Sequence, residues 1–508
     1  MHHSTSTTRA KRTNRGSRLL AALPTLALPF VLSANNIQVS NVTLTGQNAV
    51  ADTWQVQFDI SWDNSWYVNT APANGDAAWV FIKYRFGMNS DWRHATLSPS
   101  GSIAPAGSVL IQSADNKGGF IRRSTFGTGT SNFTGVQMRW NYAGTGVQDT
   151  DPIDVRVLAI EMVNIPSGAY MLGDGTATNV RGQFEQGQTG SPYLVSSEAA
   201  ITLGGAAATS LNARNNTGLS NLAPSALDDF TYTTTQTLPT TYPKGYNAFY
   251  MMKYEMSEAQ YVEFLNLLTP AQAAAGFPDA TGVSGHTIDD NGISPNLYVT
   301  TAPDRACATN ANNQLAYADW AALRPMTELE YEKACRGPMP ALADEYAWGT
   351  AEYTTNQVSL NGAGTPTESA AGSLPIANIA GAAGNYLRPW RVAAVASGVA
   401  NPTRTQAGAS YYGVNELSGN LREWCVGVTS PSARAFSGAI NGDGALSAAG
   451  ATDVANWNTI AATVGATRLR GGSWAGTSPE GRVSDRRASL AIPATHSVST
   501  TIRLCRLP

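Results

Sequence analysis

The chain has 508 residues, 43% apolar and only 14% charged, with a formal net charge of −3. Charged residues usually make up about 25% of a soluble domain, so this composition describes a globular, strand- and loop-rich chain with room for roughly two to four domains. The near-neutral balance excludes the basic footprint of a nucleic-acid binder or of a protein held on an anionic membrane.

Residues 1–34 read as an export signal. Arg9, Lys11, Arg12, Arg15 and Arg18 form a basic head ahead of an apolar run, Leu19–Ala34, that is interrupted by Pro24 and Pro29. The run is shorter than the about 20 residues needed to span a bilayer. Cleavage after Ala34 leaves a secreted or cell-surface protein with no membrane span. An uncleaved amphipathic anchor is the alternative.

From 35 to 154 the pattern is that of an all-β sandwich of immunoglobulin type. Trp54, Val56, Phe58, Ile60 and Trp62 alternate with polar residues, the period of a half-buried strand. Apolar runs at Ala78–Phe86 and Val136–Tyr142 are separated by Gly, Asn, Asp and Ser clusters suited to turns. Ile153–Ile165 is a further long strand and opens a region, 155–508, of α+β character. A Gly/Thr/Ser-rich tract at about 176–241 reads as a surface insertion. Tyr250–Met256 reads as a strand. Ser257 with Gln260, and Thr327 with Glu330, are capping boxes that start two helices.

The four cysteines, Cys307, Cys335, Cys425 and Cys505, match no zinc-site spacing. In an exported chain they suggest two disulfides, Cys307–Cys335 and Cys425–Cys505, with buried free thiols as the alternative. Five histidines occur, two of them, His2 and His3, inside the signal. His94, His286 and His496 are isolated, and each reads as a solvent-exposed loop residue rather than a ligand. No G-x-S-x-G motif is present, and no serine has a recognisable base partner.

A series of motifs runs through the larger region: IPSGAYMLGD (165–174), KYEMSEAQYVEFLN (253–266), LRPMTELEYEKACRGP (323–338) and EYAWGT (345–350). YYGVNELSGNLREW (411–424), RLRGGSW (468–474), RVSDRR (482–487) and IRLCR (502–506) complete it. In this order they resemble the sulfatase-modifying-factor, or formylglycine-generating-enzyme, family. The resemblance implies a loop-rich variant of the C-type-lectin fold over 155–508. Read physically, Gly471 and Gly472 suit a tight backbone passage, and Trp424 and Trp474 are core anchors. Arg470, Arg482 and Arg486 are expected to pair with Glu416, Glu423 or Asp485.

Formylglycine-generating members oxidise a substrate cysteine with molecular oxygen, using copper held by two cysteines after the Gly-Gly-Ser-aromatic motif. Thiolates suit Cu(I), a soft ion. The matching positions here fall near Gly476 and Gly481, so the resemblance does not carry copper to this chain. A related branch uses iron held by three histidines of a helical domain, which this sequence lacks. Structural calcium is implied at the G-N-x-x-E motif, matching Glu416, Gly419, Leu421 and Glu423 here. Two departures are Glu416 in place of a shorter side chain and Arg422 in place of a common aromatic.

Folds of this family also serve as display scaffolds in the variable proteins of diversity-generating retroelements, where the variable segment follows the Gly-Gly-Ser-Trp motif. The sequence therefore points to an exported, non-catalytic binder of an extracellular protein or glycan, working through about 474–501. Its expected ligand-binding residues are Trp474, Ala475, Thr477, Ser478, Glu480, Arg482, Ser484, Arg487, Ser489 and His496. The aromatic residues Trp390, Tyr411 and Tyr412 lie near the same expected face and read first as core. An oxidoreductase with other catalytic residues and a structural subunit of an extracellular assembly are the alternatives.

Overall fold

The computed structural model describes residues 37–87, 90–175, 179–214, 228–277, 286–292, 297–354, 358–370, 377–379, 387–398, 402–486 and 497–508. The expected export signal lies outside these residues, as do Arg487, Ser489 and His496. Helix content is low, and the N-terminal region is built mainly from antiparallel sheets.

The first part of the chain forms β1 (Gln38–Asn48), β2 (Thr53–Tyr67), β3 (Asp76–Phe86), β4 (Arg93–His94), β5 (Thr96–Leu97), β6 (Ser108–Gln112), β7 (Gly119–Arg123), β8 (Gly127–Asn141) and β9 (Ile153–Ile165). One sheet has the order β1-β2-β8-β5. Its inward residues are those the period-2 pattern selects, Val56, Phe58, Ile60 and Trp62 on β2 with Val136, Met138 and Trp140 on β8. They pack against Ala78, Val80, Ile82 and Tyr84 of β3. The other face of β3, with Ala77, Trp79 and Phe81, is equally buried, but in a different core. A strand covered on both faces reads as a near-continuous apolar run, and AAWVFI in β3 is such a run.

The second face of β3 meets the rest of the chain. That part contains β10 (Tyr170–Leu172), β11 (Phe184–Gln186), β12 (Tyr193–Val195), β13 (Ile201–Leu203), β14 (Leu211–Ala213), β15 (Gln236–Leu238) and β16 (Phe249–Met252). It continues through α1 (Glu258–Asn266), α2 (Pro270–Gly276), β17 (Ile288–Asp290), β18 (Tyr298–Thr300), α3 (Ala311–Trp320), β19 (Arg324–Pro325) and α4 (Glu328–Arg336). After β20 (Leu360–Asn361) and β21 (Ser369–Ala370) come β22 (Arg422–Val426), α5 (Pro431–Arg434), α6 (Trp457–Ala462), β23 (Thr467–Arg470), β24 (Thr500–Ile502) and β25 (Leu504–Arg506). Both expected capping boxes are formed, Ser257 with Gln260 at α1 and Thr327 with Glu330 at α4, and Thr269 with Gln272 adds a third at α2.

One sheet joins the two parts. Its order is β19-β25-β16-β9-β3-β7-β6, with β4 also on β3. The expected boundary at 154/155 therefore falls inside β9, which pairs with β3 over residues 153–163 and with β16 over residues 162–165. Trp79 Nε1 donates to the Ala321 carbonyl at 2.9 Å, and Lys83 Nζ donates to Trp320 O and Gly444 O at 2.7 Å each. Lys253, next to β16, reaches across the seam to Asp76 on β3 and Glu161 on β9, at 3.2 and 3.0 Å. All three groups are buried. Leu32–Pro508 is accordingly one compact unit.

Three local expectations are corrected. The tract at 176–241 is not an exposed loop where it is described: β11-β14-β13-β15 form a sheet whose Phe184, Leu203, Leu211 and Leu238 are buried in the main core. The cysteines form no disulfides; all four are free and buried. Cys307 lies in one core, Cys335, Cys425 and Cys505 in another, and Cys425 and Cys505 sit on different sheets. They act as small apolar fillers. His94 is not a solvated loop residue either. It sits in β4, half-buried, stacked on Phe81 at 5.7 Å between centroids, with Nε2 2.6 Å from Lys117 O.

Candidate functional site

The segment carrying RGGSW leaves β23, the edge strand of a three-stranded sheet in which β22 is central and β24 lies parallel on its other side. Gly471 and Gly472 then have φ of 85° and 68°, left-handed values that any side chain makes costly. A Cβ on Gly472 would sit 2.7 Å from the Gly481 nitrogen, and one on Gly471 2.9 Å from Leu417 O. These glycines let the single 3₁₀ turn Ser478–Gly481 fold back onto the motif. Arg422 clamps the turn through Glu480 Oε2 at 2.5 Å, and Ser418 Oγ donates to Gly481 O at 2.6 Å.

Below this turn lies a layer of buried ion pairs. Arg470 donates to Glu332 at 2.5 Å, and Arg486 grips both oxygens of Glu328 at 2.6 and 3.0 Å. Arg468 pairs with Asp228 at 2.8 Å, and Arg503 with Glu423 at 3.0 Å. Arg482 pairs with Asp344 at 3.1 Å. Arg470, Arg482 and Arg486 are thus paired, but not with the expected Glu416, Glu423 or Asp485. Arg470 and Arg486 take their partners from α4, whose acidic residues Glu328 and Glu332 point inward instead of toward solvent.

Of the expected ligand-binding residues that are described, Ala475 and Thr477 are exposed, and Ser478, Glu480 and Arg482 are half-buried. Ser484 faces the core, where it accepts a hydrogen bond from Arg336 at 3.0 Å, so it is not available to a ligand. Trp474 is also buried, and its indole nitrogen donates to Val498 O at 3.0 Å. Trp390 and Tyr412 are core residues, and Tyr411 is half-buried.

Residues 229–504 match the family model for the sulfatase-modifying factor enzyme 1-like domain. The chain belongs to this family. No curated protein matches it.

Within the sulfatase-modifying-factor frame, the two positions at which the resemblance puts copper-binding cysteines are glycines, and neighbouring side chains occupy the space a side chain there would take. A Cβ on Gly476 would lie 2.9 Å from Glu480 Oε2 and 3.1 Å from Arg422 Nη2, inside the salt bridge. One on Gly481 would lie 2.5 Å from Ile379 Cδ1 and 3.3 Å from the Tyr346 ring. The chain's own thiols offer no replacement, because burial pushes all four well above the usual thiol range, toward the neutral form that binds metal poorly. The residues present do not fit copper.

At the calcium positions, Glu416, held at φ 60°, and Glu423 are buried beside a third carboxylate, Glu255. Glu255 accepts from Leu421 N at 2.9 Å and from Asn420 Nδ2 at 2.5 Å. Burial raises all three carboxyls above their ordinary range, against the pull of Arg503. Oε2 of both Glu416 and Glu423 lacks a hydrogen-bond partner. Carboxylate oxygens are the hard donors that calcium prefers, but these three do not converge closely enough to form a shared ion site, and Glu423 is already paired with Arg503.

A second group of carboxylates escaped the sequence reading. Asp319, Asp443 and Asp453 bring ligand oxygens within 4.8 Å of one another and could hold a metal ion such as calcium. Asp319 is buried and accepts from Asp443 N at 3.0 Å and Thr452 Oγ1 at 2.6 Å. Burial pushes its carboxyl up to about 6. No local spacing announces this group. It forms because Gly442 lets the following loop press on the end of α3, where a Cβ would overlap the Asp319 backbone.

Proposed function

We propose that the protein is an exported, non-catalytic binder that presents the tract around 474–501 of its sulfatase-modifying-factor domain to an extracellular protein or glycan. The observation that carries this reading is the pairing of a copper position without thiols with an accessible turn. Gly476 and Gly481 leave no thiolate at the family's reactive position, while Ala475 and Thr477 stand exposed above a buried ion-pair layer. Binding residues concentrate on loops carried by a rigid scaffold. The N-terminal sandwich is read as immunoglobulin-like, a spacer welded to the binding domain by the shared sheet, and the C-terminal domain as a C-type-lectin-like variant. Calcium in this reading is structural, bound by Asp319, Asp443 and Asp453. A net charge of −3 gives no support to a nucleic-acid partner.

If the tract is a variable display surface, sequencing the 3′ end of the gene across a natural population will find substitutions concentrated in codons 475–482 and 487–501, with 471–474, the buried 483–486 and 502–503 constant. Substitutions spread evenly through the frame and the tract would overturn the display reading.

A further inference from the structure

A cavity of about 110 Å³ lies on the face of the three-stranded sheet that bears Trp424 and Leu469. Thr309, Asn310 and Ala311, at the start of the ten-residue helix α3, form one wall. Ser497, Ser499 and Thr500 form another, and Arg422 closes one side. We propose that this cavity is a binding subsite for a carboxylate group carried on a small apolar stem. The inference rests on the binding reading above and names the ligand chemistry for one part of the same region.

Three features of the lining select a carboxylate. Among the described residues no Asp or Glu lines the cavity, while its polar groups are hydroxyls, an amide and a guanidinium. A cation finds no charged ligand there, and a wholly apolar guest would strand the hydroxyls. The start of α3 directs the positive end of the helix dipole at the space, which favours an anion.

Arg422 retains donors for such a guest. A guanidinium carries five N–H groups, and here Nε and Nη2 serve Glu480 while Nη1 serves Ser499 Oγ at 3.2 Å. Among the described residues, one N–H on each terminal nitrogen has no acceptor, the fork that suits a carboxylate. Trp424 and Leu469 supply the apolar floor for the stem.

The test is titration of the full chain with benzoate and with its neutral counterpart benzamide, read by ligand-detected NMR and calorimetry. Benzoate is expected to bind saturably, and benzamide at least tenfold more weakly. Arg422→Gln should weaken benzoate at least tenfold. Because that change also loosens the Glu480 turn, Leu469→Trp is the second variant; it fills the cavity, leaves every charge in place and should abolish binding. Propionate and acetyl-aspartyl amide then separate a free acid from a protein side chain as the source of the group, and binding of either supports the subsite. Equal binding of benzoate and benzamide overturns the carboxylate assignment. Absence of benzoate binding, or binding unchanged in Leu469→Trp, overturns the subsite. Confined variation in codons 475–482 and 487–501 alongside either result would leave the display reading standing, so the two fail separately.

Discussion

Arg486→Met is expected to destabilise the protein by about 3–5 kcal/mol, the usual cost of removing one partner from a buried ion pair. Arg486 holds both oxygens of Glu328, donates to Gly182 O at 2.8 Å and lies over the Phe184 ring at 3.9 Å. Burial alone would raise the Glu328 carboxyl. Arg486, with Arg468 and Arg470 behind it, outweighs burial and holds it below the ordinary range. In the wild type, the contribution of Glu328 is therefore present at neutral pH and lost as the pH falls through its lowered value. Removing the guanidinium reverses the sign. The stranded carboxyl takes up a proton more readily folded than unfolded, so its cost grows as the pH rises above the ordinary carboxylate value. Urea midpoints of the wild type and variant should then lie closer together at pH 5 than at pH 8. A deficit independent of pH would mean that lost packing, not stranded charge, is responsible.

Lys253→Met should have an effect of similar size, about 3–5 kcal/mol, felt by both halves of the chain. Its ammonium group neutralises Asp76 on β3 and Glu161 on β9, and also donates to Asn64 O at 3.1 Å. Asp76 in turn organises β2 by accepting from Trp62 Nε1 at 2.9 Å and Ser65 Oγ at 2.8 Å. Adding Glu161→Gln to Lys253→Met should restore part of the loss by removing one of the two stranded charges. Because β3, β9 and β16 belong to one sheet, calorimetry of the wild type should give a single unfolding transition. Two separable transitions would contradict the shared core.

Local features were legible in the sequence wherever the signal was local. The period-2 alternation of β2 identified its inward face, and Ser257–Gln260 and Thr327–Glu330 marked the starts of α1 and α4. The ordered motifs located the family domain, and Gly471 and Gly472 marked the tight passage. Features that depend on distant partners were not legible. The two-faced burial of β3 is written in AAWVFI, but nothing local says that its second cover is α3. Glu328 and Glu332 look like solvated residues on a helix, and only the fold turns them toward Arg470 and Arg486. Ser484 has the composition of a display residue, yet it lies under Arg336. Asp319 is separated from Asp443 and Asp453 by a long stretch of chain, and the two sides meet through one glycine. The cysteine pairing failed for the same reason, since loop length says nothing about which core each thiol enters.

The proposed reading keeps the sulfatase-modifying-factor frame without the family's oxidative chemistry. The most direct measurement is mass spectrometry of a cysteine-containing peptide incubated with the full chain, Cu(I) and oxygen. The account predicts no formylglycine above the level found without protein, because Gly476 and Gly481 supply no thiolate and the remaining thiols are buried. Protein-dependent conversion of the peptide cysteine to formylglycine would contradict it.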